Sequence, residues 1–119
     1  MVEVAPERFE ELVVEALDSI PESLGRLMDN VAVFVEDRSG YPGLLGLYQG
    51  VPLTSRNHAY GHASGTLPMP DRITIYRLPI CAMASTEADV VQQVRVTVIH
   101  EVAHHFGIDD ARLDELGWA

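Results

Sequence analysis

The sequence predicts an α+β fold. Apolar residues recur at helical spacing in residues 6–18 and again in residues 86–106. Between them, short β-branched or alternating runs at 31–36, 44–48 and 72–77 read as strands, and Gly40, Pro42 and Gly43 mark a loop between the first two. Helices on either side of a strand-rich middle section suit packed layers of both kinds.

Each element has its own reason. Residues 6–18 set Phe9, Leu12, Val13, Ala16 and Leu17 against glutamates on the other face, an amphipathic helix. Pro21 suits the first turn of a second, short helix running to about Met28. Residues 31–36 form a nearly continuous apolar run, the pattern of a buried strand. In the third strand, Ile73 and Ile75 alternate against Thr74 and Tyr76. Thr86, with Asp89 three residues on, resembles a capping box at the start of the long helix. Along that helix Val91, Val94, Val98, Val102 and Phe106 make one apolar stripe, with Thr97, His100 and His104 nearly opposite. Val96, Ile99 and Ala103 carry apolar surface further round, so the helix is expected to be central, its polar strip lining a cleft. Valine is a poor helix former, and tertiary packing must hold this segment. A short helix over residues 111–116 is expected to close the chain.

Residues 100–110 read HExxHxxGxxD, the pattern of a zinc-hydrolase site. Four residues on a helix turn through about 400°, so His100 and His104 stand one above the other and reach one ion. Glu101 falls beside the metal rather than on it, where a carboxylate takes a proton from water. Catalytic zinc usually has three protein ligands and one open position. Gly107 tolerates the left-handed conformation that ends a helix, so the chain turns back after His104. Asp110 is the expected third ligand, with Asp109 the near alternative.

The stretch from Arg72 to Ile80, the motif at residues 100–110 and the close Leu116-Gly117-Trp118, with residues 45–54 upstream, resemble the small bacterial zincin-like metallopeptidase family across residues 31–119. The resemblance implies a reduced zincin fold, a small mixed sheet packed on the active-site helix. It further implies a zinc site at His100, His104 and Asp110, with Glu101 catalytic. The HExxHxxGxxD pattern is shared with metzincins, whose fold has a methionine-containing turn beneath the metal. Nine residues follow Asp110 and none is methionine, so no such subdomain is expected and the site should be shallow and open.

Composition narrows the partners. The 119 residues suit one domain, and a net charge of -10 argues against nucleic-acid or anionic-membrane binding. Much of the acidity lies in the first 29 residues, on Glu3, Glu7, Glu10, Glu11, Glu15, Asp18, Glu22 and Asp29. A solvated helix face is the plain reading of that run, and a docking surface for a basic partner is the other. All eight basic residues are arginine. Cys81 is the only cysteine, so no intramolecular disulfide forms; it reads as a small buried hydrophobe, with a reactive thiol or a fourth zinc ligand as the sharper alternative. No signal-like start or membrane-length apolar run stands in the sequence, and a cytoplasmic placement is expected.

The chemistry expected is zinc-dependent hydrolysis of short or unfolded peptides, with Glu101 as general base and the 44–48 strand edge holding an extended substrate. His105 lies about 100° from His104 and reads as a satisfied or surface histidine, or else as a contact behind the metal or to substrate. His58 and His62 read as residues of a glycine-containing loop, Tyr60 and Tyr76 as candidate oxyanion donors, and Asp114 as a surface carboxylate able to orient a ligand histidine. Two other classes compete: a non-hydrolytic zinc-binding domain with a closed site completed by Cys81 or His58, and a protein-interaction domain retaining a zincin shell.

Overall fold

The computed structural model describes residues 1–50 and 70–118. His58, Tyr60 and His62, with residues 51–54 of the family resemblance, lie outside the described residues. The chain runs α1 (Pro6–Asp18), α2 (Glu22–Leu27), β1 (Val31–Glu36), β2 (Gly46–Gln49), β3 (Asp71–Tyr76), α3 (Arg77–Met83), α4 (Glu87–His105) and α5 (Asp110–Leu116). The architecture is α+β, as expected. Its sheet is mixed, in the order β1-β3-β2, with β1 parallel and β2 antiparallel to β3. Among the described residues β2 is therefore an edge strand.

The parallel pairing sets Val33 opposite Ile73 and Val35 opposite Ile75, and the antiparallel pairing sets Tyr48 opposite Ile73. Since side chains alternate along a strand, Val33, Val35, Ile73, Ile75, Gly46 and Tyr48 share one face. α4 packs on that face. α1 covers another side of α4 with Phe9, Leu12, Val13 and Ala16, all buried in the same core as Val94, Val98 and Val102.

α4 begins where its sequence says. The Thr86 hydroxyl accepts from Asp89 N at 3.1 Å, and Asp89 Oδ2 accepts from Thr86 N at 3.2 Å, closing a reciprocal cap. Val90, Val94, Val98 and Val102 are wholly buried. Burial of each contributes about 1.5–3 kcal/mol, against a propensity penalty of at most about 0.7 kcal/mol per residue, so packing wins. The expected stripe needs two corrections. Val90 rather than Val91 is its fully buried member, and Phe106 is exposed, because the helix ends at His105 and Phe106 already turns away as its C-cap.

The last turn closes in a Schellman arrangement. Gly107 N donates to His104 O at 3.1 Å and Ile108 N to Ala103 O at 2.8 Å, while Gly107 takes φ +75°. Partly buried Ile108 packs on the core and fixes the exit direction. The chain then enters α5, whose Leu113 is buried. Trp118 is buried behind it, its indole N–H donating to Ser23 Oγ at 2.9 Å.

α3 is a helix that the sequence does not announce. Pro79 and the neighbouring strand pattern conceal it, but Pro79 is its third residue, where a missing N–H costs nothing. β3 accordingly ends at Tyr76, and Arg77 belongs to α3, donating to Asp37 Oδ1 at 2.9 Å and to Val4 O at 2.8 Å. Among the described residues no helix is long and apolar enough to cross a membrane.

Candidate metal centre

Four residues of helix advance about 6.0 Å and two residues of strand about 6.6 Å, so a helix lying along a strand keeps step with it over several residues. α4 and β2 do this. Thr97, Glu101 and His105 form one row on the helix, and Gly46, Tyr48 and Gly50 a row along β2 and its exit. At the first step the approach is so close that a Cβ on Gly46 would lie 2.6 Å from Thr97 Cγ2. At the second, Tyr48 N donates to Glu101 Oε1 at 3.1 Å. At the third, a Cβ on Gly50 would lie 2.8 Å from His105 Cε1. Thr97, expected on the polar strip with the histidines, is instead buried beneath β2, its hydroxyl donating to Gln93 O at 2.7 Å.

Glu101 is thereby anchored by backbone. One oxygen of the carboxylate takes the Tyr48 donor, leaving the second oxygen for other chemistry.

His100 and His104 stand on the adjoining row of α4, as the four-residue spacing requires. Their rings are nearly parallel, 15° apart, with centroids separated by 6.0 Å. The turn at Gly107 brings α5 back toward them, and His104 Nε2 lies 3.7 Å from Asp110 Oδ1. The neighbouring carboxylate is otherwise engaged: Asp109 is the N-cap of α5 and accepts from Arg112 N at 2.9 Å. Of the two acids after Gly107, Asp110 is the one beside His104.

His105 is neither free nor aimed at the same point. Its ring stacks on that of Tyr48, with centroids 4.0 Å apart and planes 20° apart, and Phe106 meets it edge-on at 5.1 Å. Its Nε2 lies 3.7 Å from Asp71 Oδ2, the same oxygen that accepts from the Tyr48 hydroxyl at 2.8 Å. Tyr76 sits at the opposite end of β3 from Asp71, and Asp114 is exposed on α5. Cys81 is buried on α3, in the wall of a cleft of about 1200 Å³ lined also by Val2, Val4, Tyr41 and Met83 and by no residue of α4. Burial pushes its thiol pKa up, opposed by nearby Arg77, so the thiolate is disfavoured.

The donor set suits zinc: two imidazoles and a carboxylate, with a second carboxylate alongside. Tetrahedral zinc with ligands at about 2.0–2.2 Å sets pairs of donor atoms roughly 3.3–3.6 Å apart, close to the 3.7 Å between His104 Nε2 and Asp110 Oδ1. Among the described residues no three His, Cys, Asp or Glu groups converge as they stand. His104 is 56% and Asp110 78% exposed, which leaves both free to turn, while His100 is partly buried. In donor chemistry and in this one spacing the residues are compatible with the ion.

Sequence reasoning missed the Tyr48 backbone, Asp71 and the two glycines of β2 and its exit. Both rows were visible separately, as a four-residue spacing and an alternating spacing; their alignment belongs to the tertiary structure.

Comparison with known proteins gives the family. The zincin-like metallopeptidase model matches residues 28–118, and the chain belongs to that family. Among solved structures it is similar to a conserved hypothetical protein from Thermus thermophilus, at 26% identity and a TM-score of 0.53, covering 87% of this chain and 94% of that one. No curated protein matches.

Proposed function

We propose that this protein is a zinc-dependent peptidase of open-cleft type, acting on short or unfolded peptides. The observation that carries this reading is the hydrogen bond from Tyr48 N to Glu101 Oε1, which sets the expected base against β2, next to two histidines at ligand spacing. Membership of a metallopeptidase family supports the same chemistry.

His100, His104 and Asp110 hold the ion in this reading. Zinc bound there would supply Lewis acidity, acidifying a water and polarising the scissile carbonyl. Glu101 takes the proton of the attacking water on its second oxygen and returns it to the leaving amine. Tyr48 N–H limits rotation of the carboxylate, so the base meets its proton in a fixed orientation. The edge of β2 on either side of Tyr48 N–H holds an extended peptide by strand addition, and the bond from Tyr48 N to Glu101 is kept. An open cleft favours flexible substrates, because a shallow site provides little depth to grip a folded one.

Incubation of the zinc-loaded protein with a mixture of unstructured peptides, read by mass spectrometry, tests this. Cleavage is expected with the native chain and not with Glu101→Gln. Equal cleavage by the variant removes Glu101 from the mechanism, and zinc binding without any cleavage favours the non-hydrolytic alternative.

A further inference from the structure

His105 lies next to a proposed ligand yet turns its ring away from it, and among the described residues four groups meet that ring. Tyr48 covers its face at 4.0 Å, Phe106 closes one edge at 5.1 Å, and Gly50 leaves room for nothing but hydrogen, its notional Cβ being 2.8 Å from Cε1. Asp71 stands 3.7 Å from Nε2 while also accepting from the Tyr48 hydroxyl. At the side chain Asp71 is 13% and His105 36% exposed, so the cluster is recessed at its Asp71 end and open toward Phe106. Its members come from three places: the end of α4, β2 with its exit, and the start of β3.

The consequence lies one peptide unit away. Tyr48 uses its ring and hydroxyl within this cluster and its backbone N–H on Glu101. Whatever fixes the Tyr48 ring against α4 also fixes the donor that orients the carboxylate. We propose that His105, with Tyr48 and Asp71, forms a brace that clamps β2 onto α4 and thereby positions Glu101. His105 is a positioning residue: it acts on Glu101 through the β2 backbone, and it holds no metal. Its bearing on catalysis rests on Glu101 being the base; its bearing on the position of Glu101 does not.

Gly50 gives the brace a second handle. Its backbone imposes no left-handed conformation, so Gly50→Ala acts chiefly through the added methyl pressing on the His105 ring. His105 and Tyr48 stay chemically intact in that variant.

The test is hydrogen exchange of the Tyr48 amide by NMR on the metal-free full chain, which reports the hydrogen bond to Glu101 independently of turnover. Glu101→Ala, lacking the acceptor, sets the rate of the released amide. His105→Ala and Gly50→Ala are each expected to accelerate Tyr48 exchange by about tenfold or more toward that rate, while His105→Phe, which keeps a ring on Tyr48, stays within about threefold of the native chain. Amides of Val94 and Val98 in mid-helix report whether each variant keeps the fold. Native-like Tyr48 exchange in both His105→Ala and Gly50→Ala overturns the brace, whether or not the protein proves to be a peptidase. With the brace released, turnover is expected to fall by about a hundredfold, with zinc affinity unchanged.

Discussion

Glu101 and Asp110 are carboxylates nine positions apart that the fold treats in opposite ways. Glu101 is half-buried, one oxygen bound to the Tyr48 backbone, on a helix whose row of contacts keeps step with a strand. Asp110 is 78% exposed in the first turn of a short helix, 3.7 Å from a histidine that is itself 56% exposed. One acid is anchored by the fold; the other stands exposed and, in the proposed reading, is drawn into place by the ion. A base must be oriented before the reaction begins, whereas ligands are drawn in by the metal they bind, and their placement is completed by binding free energy.

The contrast is broken most strongly at Glu101 itself. Glu101→Gln should reduce peptide turnover by about 10²–10⁴-fold in a continuous assay, with the zinc dissociation constant within about threefold of native, because the amide keeps its shape and was never a ligand. Next come the ligands. His104→Ala and Asp110→Ala should each weaken zinc binding by more than the about 10–100-fold that loss of an outer partner costs, yet shift unfolding of the metal-free protein by no more than about 0.5 kcal/mol in a urea titration. A large loss of metal-free stability would mean that the exposed side of the site is built by packing after all.

The anchored side should respond in the reverse sense. Gly46→Val sets a branched side chain where even a Cβ lies 2.6 Å from Thr97 Cγ2, forcing β2 from α4. Destabilisation of about 1–3 kcal/mol is expected, with turnover lowered and zinc affinity little changed. The smallest effect concerns the start of the same helix. The Arg8 guanidinium donates to Glu87 at 2.9 Å and holds its carboxyl below the ordinary value of 4.5. A lowered carboxyl pKa contributes stability above the unfolded value, and that contribution is lost as pH falls through the folded one. Glu87→Gln should therefore melt slightly lower than native near neutral pH and converge with it in acid, the difference shrinking in high salt because both groups are exposed.

Much of this was legible in sequence where the signal is local. α1 and β1 have the expected limits, the Thr86–Asp89 cap starts α4, and Gly107 ends it in the left-handed conformation. Each depends on residues within one or two turns of one another. Boundaries moved where a neighbour decides: β2 lies two residues later at its start and one at its end than the 44–48 run suggests, since pairing of Gly46 with Ile75 and Gln49 with Arg72 defines it. α3 escaped notice because its apolar residues follow straight on from β3. For the site, the proposed ligand and base residues stand out in one segment, while Asp71 and the Tyr48 backbone do not. They come near α4 only through the sheet, and no spacing within one segment encodes that.

Zinc titration by calorimetry into metal-stripped protein, for the native chain, Glu101→Gln and His104→Ala side by side, goes most directly to the division of labour between an anchored base and ion-drawn ligands. One tight equivalent for the first two and none for the third is the expected result; absence of binding by the native chain, or its loss in Glu101→Gln, would contradict it.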